Sequence, residues 1–174
     1  MLFEQKVILK GTDPLDVIRS FHDRRFVEFL TAMQPVKIQS WVGINNNMKA
    51  SFSFWFFGWR QIEVEHKNYK ASKNHLHFED RGLVLPFGLS SWRHFHIVEP
   101  HKNGTIIIDK VEMGSQRSWL RYFIFPIMLF PIFIRRLTYR LWFYRMEGKT
   151  WISFKRFVTN EKIKPFLVSI ASVM

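Results

Sequence analysis

From Val36 to Val111 the chain keeps returning to a period of two, and from Pro131 onward it changes to a period of three and four. Alternation of apolar and polar residues belongs to strands with one face buried, and the longer period belongs to one face of a helix. In the first region Val36, Ile38 and Ser40 alternate with Lys37 and Gln39. The spacing predicts further strands over Met48 to Phe57, Trp59 to Tyr69, His75 to Asp80, Trp92 to Val98 and Thr105 to Met113. Gly58 marks a bend, Gly82 to Gly88 a loop, and Asn103-Gly104 the tight turn of a hairpin. In the second region Ile134, Leu137, Leu141 and Tyr144 step along one helical face, which continues through Gly148, Trp151 and Phe154. Arg135, Arg136, Arg140, Lys149, Lys155 and Arg156 fall on or near its wet side. A lone amphipathic helix cannot bury its own stripe. It must lie across the concave face of the sheet.

Ahead of the meander, residues 2–10 read as a strand with Phe3, Val7 and Leu9 on one face and Glu4 and Lys6 on the other. Asp13 and Pro14 then open a helix as its cap and first residue, and Asp16 suits the positive end of the dipole. A second short helix is expected from Phe26 to Met33, ending before Pro35. The sum is an α+β arrangement of about seven strands, with two short helices after the first and a long helix at the end. One domain is expected over residues 1–158, with a tail at 159–174 of no readable structure. The apolar run Tyr122 to Ile134, interrupted by Pro126 and Pro131, reads as a connection before the helix.

The 174 residues include no Cys, which removes disulfides, thiolate ligands and thiol nucleophiles. They do include 19 Phe, 7 Trp and 4 Tyr, a load of rings that calls for a dense core or a ring-lined cavity. A net charge of +12 draws polyanions: nucleic acid or anionic lipid headgroups. Met1 leads into Leu2, Phe3, Glu4, Gln5 and Lys6 with no basic stretch before an apolar run, so the expected location is the cytoplasm, or the inner membrane face as a peripheral protein.

Three segments carry a family likeness: Asp80-Arg81-Gly82; Ser91-Trp92-Arg93-His94-Phe95-His96; and Asn103-Gly104-Thr105-Ile106-Ile107-Ile108-Asp109-Lys110-Val111. Together they resemble the START-like (SRPBCC) superfamily, which includes polyketide cyclases and the birch-pollen-allergen family. More narrowly they resemble a bacterial branch often labelled "cell division inhibitor", and Phe143-Tyr144-Arg145 stands where that branch has an aromatic-aromatic-Arg element. The resemblance covers roughly residues 2–146. It implies a helix-grip fold and the binding, or transport, of a lipid-like or polycyclic ligand. The apolar run at 122–134 and the tail depart from the family pattern.

Trp92, His94 and His96 share one face of their strand, while Arg93, Phe95 and Ile97 share the other. Turned inward, they make an apolar wall with polar handles, suited to orienting the polar end of an apolar ligand. Trp55, Trp59, Phe78, Leu141 and Tyr144 complete the expected ligand-binding set. His75-x-His77 with His94-x-His96 would suit zinc only if both pairs met on one face, and no metal or other cofactor is expected. Asp80 and Asp109 are acid or base candidates, but no paired-carboxylate or Ser-His-Asp pattern surrounds them, so no catalytic residue is assigned. A START-like enzyme of the cyclase or dehydratase type is the alternative to a binder.

The run at 122–134 is shorter than the roughly 20 residues of a spanning helix. Its expected role is packing beneath the helix, or dipping into an anionic membrane surface through Phe123, Phe125, Met128 and Phe130 with Arg135 and Arg136 at the headgroups. That second role describes a membrane-associated interaction protein. Nothing beyond charge points to nucleic acid.

Overall fold

The computed structural model describes residues 1–115 and 118–146. Seven strands form one antiparallel sheet: β1 (Leu2–Lys10), β2 (Val36–Trp41), β3 (Lys49–Trp55), β4 (Trp59–Ala71), β5 (Leu76–Val84), β6 (Leu89–His101) and β7 (Gly104–Ser115). Their order across the sheet is β1-β7-β6-β5-β4-β3-β2, so the first strand closes onto the last and the rest follow as a meander. The expected helix-grip architecture is the one observed. Strand β5 runs on to Val84, which leaves a shorter β5–β6 loop than Gly82 to Gly88. Between β4 and β5 the register shifts twice, at Glu63/Val64 and at Lys67/Lys70.

Helices α1 (Pro14–Phe21) and α2 (Arg24–Thr31) fill the link between β1 and β2. Asp13 caps the first, its carboxylate accepting the Leu15 N–H at 2.7 Å, and Asp23 caps the second by accepting the Arg25 N–H at 2.9 Å. That second cap starts α2 two residues before the expected Phe26. The buried faces of both helices carry Val17, Ile18, Phe21, Phe26 and Leu30, which join Val7, Leu9, Val98 and Ile107 of the sheet in one apolar cluster.

The long helix α3 spans Ser118–Met146 with Pro126 and Pro131 inside it. This corrects the expected proline-broken connection. A proline lacks one backbone donor and crowds the preceding turn, but burial of the helix against the sheet outweighs that cost. Ile124, Met128, Leu129 and Ile132 pack with Leu89, Trp92, Val111 and Met113 of β6 and β7. The buried stripe is therefore only in part the expected one, sharing Ile134 with it. Thr138, Tyr139 and Phe143 face inward, whereas Leu137, Leu141 and Tyr144 are only partly covered. Tyr122–Tyr144 is long and apolar enough to cross a membrane, yet 44% of its apolar 18-residue window is buried within the protein. The expected continuation past Gly148 and the tail at 159–174 lie outside the described residues.

Candidate functional site: a charged band beneath an apolar cleft

A band of polar side chains crosses the inner face of the sheet between its two apolar clusters. Each member comes from the period-two pattern of its own strand. Gln5 falls between Phe3 and Val7, Asp109 between Ile107 and Val111, and His94 and His96 between Trp92 and Val98. Asp80 follows Phe78 on β5, and His66 follows Val64 on β4. The helix adds Arg135 and Tyr139 from above, four residues apart and so on one side.

Asp109 is fully buried and collects the band. It accepts hydrogen bonds from Gln5 Nε2 at 2.9 Å and the Tyr139 hydroxyl at 3.2 Å, and pairs with His94 Nε2 at 3.1 Å. Arg135 lies 3.9 Å away. Gln5 Nε2 also donates to the Ile132 carbonyl at 2.7 Å, and its Oε1 accepts from Arg136 at 3.0 Å, fastening helix to sheet. Asp80 pairs with His66 Nδ1 at 2.7 Å and His96 Nε2 at 3.1 Å, while His94 Nδ1 stands 4.0 Å off. His96 thus sits between two carboxylates. Its Nδ1 is 3.3 Å from Asp109 but misaligned for a hydrogen bond.

Burial opposes charge on Asp80, Asp109, His94 and His96, and partners decide which of them keep it. Asp80 stays well below the ordinary carboxylate range because His96 and His66 outweigh its burial. Asp109 does so through His94 and His96. Burial also works against a charged His96, but Asp80 and Asp109 prevail and raise its pKa. His94 goes the other way: burial and the neighbouring His96 lower it to about 4. The band therefore sets the carboxylates of Asp80 and Asp109 against His96, whose protonated form they favour, and the Arg135 guanidinium. With neutral His94 donating from Nε2 to Asp109, its Nδ1 carries a lone pair beside Asp80.

Above the band the sheet is only partly covered. Helix α3 packs on β1, β7 and α2, leaving a cleft between itself and the β2–β4 side. The cleft is open on one side and has a volume of about 100 Å³. Phe52, Phe54, Ile62 and Val64 form one wall, and Ile127, Met128 and Ile132 the other. Trp92, His94, Asp80 and Arg135 meet it at the floor.

Of the expected ligand-binding set, Trp92 and His94 line this cleft. His96 lies behind them, stacked on Phe78 at 4.4 Å, and both belong to the buried interior rather than to the cleft surface. Trp55 and Trp59 do not line it. They pair across the β3–β4 turn and are 52% and 49% exposed, because the inward positions of β3 are Ala50, Phe52 and Phe54. Leu141 and Tyr144 sit on α3 beyond the cleft. Of the expected membrane contacts, Phe123 and Phe130 are exposed, and Phe125 is partly covered. Met128 and Arg135 instead face the cleft, and Arg136 is tied to Gln5. Sequence reasoning missed Gln5, His66 and Tyr139, and saw Arg135 on the wrong side. For Gln5 and His66 the signal was a polar residue at an inward position of a strand; Tyr139 and Arg135 lie on α3 and carried no such mark.

The two His-x-His pairs do not meet. His77 bonds the Asn68 carbonyl at 3.1 Å on the outer face, across from Ile97. Asp80, His94 and His96 do converge, each offering a ligand atom within 4.8 Å of the others. These three could hold a metal ion, with Asp109 orienting His94 from behind. Binding there would drive the proton off His96 and set the ion beside Arg135.

No family model matches the chain, and none of the curated proteins matches it. Solved structures share its fold. Protein Ms6760 from Mycobacterium smegmatis is 9% identical with a TM-score of 0.59, over 83% of this chain and 90% of that one. Norcoclaurine synthase from Thalictrum flavum, in complex with dopamine and hydroxybenzaldehyde, is 12% identical with a TM-score of 0.57, over 86% and 87%. Ginseng major latex-like protein 151 from Panax ginseng is 11% identical with a TM-score of 0.51, over 79% and 95%. At such identities the likeness is one of fold.

Proposed function

We propose that this chain binds a small, largely apolar molecule in the cleft, with the molecule's polar end on the charged floor. The observation that carries this reading is the pairing of apolar walls with Asp80, His94 and Arg135 at their base. A hydroxyl or carboxyl group suits that floor, since Arg135 donates, Asp80 accepts and His94 Nδ1 accepts. The cleft volume of about 100 Å³ is below the roughly 300–1,000 Å³ of pockets that swallow a drug-sized ligand. It takes one ring or the end of a chain. The rest of a lipid-like or polycyclic ligand would lie in the open side. That a synthase of this fold is seen with two small ring compounds supports the reading. The narrower likeness to the "cell division inhibitor" branch rests on the motif residues and names no ligand.

Titration with an anilinonaphthalene sulfonate, an apolar ring system bearing an anion, tests it. Val64→Trp fills the cleft and should weaken binding at least about tenfold while the protein stays folded. Equal binding by wild type and variant would sink the proposal. Native mass spectrometry, with organic extraction of whatever co-purifies, would identify the ligand. A second reading, a START-like cyclase or dehydratase, draws on the His94 lone pair beside Asp80 at the floor. Under it, His94→Asn abolishes turnover of the extracted ligand but leaves its binding in place.

A further inference from the structure

One end of the sheet collects exposed rings that the cleft does not use. The β3–β4 turn presents Trp55, Phe57 and Trp59, with Phe57 82% exposed. The antiparallel order brings Val84 at the close of β5 and Phe87 in the β5–β6 turn to the same end, where β7 also finishes, and Tyr122 and Phe123 lie in the first turns of α3, which follows β7. Phe87 links the two turns, 6.0 Å from Phe54 and 5.7 Å from Phe56. Lys37 stands over Trp59 at 4.1 Å, and Arg60 over Phe87 at 5.7 Å. No Asp or Glu occurs in residues 29–62, 81–98 or 113–146, the stretches that build this end.

One of these rings, Phe57, sits where stability alone would not put it, while Phe87 is partly buried against the cluster under α3. Phe57 and Phe87 have φ of 45° and 59°, a left-handed backbone that favours Gly or Asn, and each precedes a glycine. Phe57 gains little burial in return. Strain held by an exposed aromatic points to a use outside the protein.

We propose that this end docks on an anionic lipid bilayer. Trp, Tyr and Phe settle at the headgroup boundary, while Lys37 and Arg60 meet the phosphates; the nearest carboxylate, Glu63 opposite Val84, is paired with Lys49 at 3.6 Å. The same cations oppose a second copy of this chain placed face to face. This surface differs from the run at 122–134 as a whole, whose Met128 is turned inward.

The test is co-sedimentation of the full chain with phosphatidylcholine vesicles and with mixed phosphatidylcholine–phosphatidylglycerol vesicles. Wild type should bind the mixed vesicles and release as salt rises. Trp55→Ser/Phe57→Ser/Trp59→Ser should bind at least about tenfold more weakly, and Lys37→Glu/Arg60→Glu should lose the preference for anionic lipid by a similar factor. Phe57→Asn should melt no lower than wild type yet bind less, an outcome a purely structural role would not give. Wild-type failure to bind, unchanged binding by the ring variant, or dimerisation through this end without lipid would each overturn the proposal. Sulfonate titration of the same variants reads the cleft separately, so failure of one reading is distinguishable from failure of the other.

Discussion

Asp109 shows how much depends on one carboxylate. It is fully buried, and its partners include His94, Gln5 and Tyr139. Asp109→Asn should cost about 3–5 kcal/mol in urea unfolding, since it leaves the buried His96 and the half-buried Arg135 opposite Asp80 alone. The histidines add a pH dependence. His94 ordinarily titrates at 6.5 and in the fold at about 4, so between those values the unfolded chain takes up a proton that the folded one refuses. Stability should fall by about 3 kcal/mol as pH drops across that window, and His94→Asn should flatten the slope. Asp80 and Asp109 add a steeper loss at still lower pH, as their depressed folded values are reached. His96 acts on the other side, its contribution whole below 6.5 and lost as pH rises through its raised value. Sequence revealed that Trp92, His94 and His96 share a face, because alternation is local. It could not reveal which carboxylates they meet, because Asp80 and Asp109 arrive through strand pairing across the sheet.

At the scale of elements, the β6–β7 hairpin is the firmest part of the design. Gly104 has φ of 135°, and a Cβ there would collide with the Leu9 carbonyl oxygen and come within 2.7 Å of the Gly11 nitrogen. Gly104→Ala should therefore cost about 3 kcal/mol or more, read as a lower melting temperature, and should loosen β1 from β7. The Asn-Gly signal, the Asp13-Pro14 start and the alternating strands were all legible, since each is written in neighbouring residues. Helix α3 was not. Prolines at 126 and 131 argue locally against a helix, and only the apolar face of β6 and β7, distant in sequence, decides the matter. The same tertiary pull turned Arg135 inward, toward Asp109 and away from the wet side its charge suggested.

At the scale of the molecule, the sheet divides into a covered part under α3 and an uncovered side of β2, β3 and β4 that walls the cleft. Folding was readable from sequence to this level: a sheet, a gripping helix and a gap beneath it. The size of the gap was not, because it is set by how far α3 reaches across seven strands. The covered and uncovered parts meet at the β4–β5 pair, where the register slips twice within a few residues. Each slip leaves the ladder short of bonds and the strand bent. Between the two slips the seam is riveted by the charged band itself, because His66 of β4 reaches Asp80 of β5 at 2.7 Å, so the bends fall on either side of a fixed point and the cleft wall is tied to its floor.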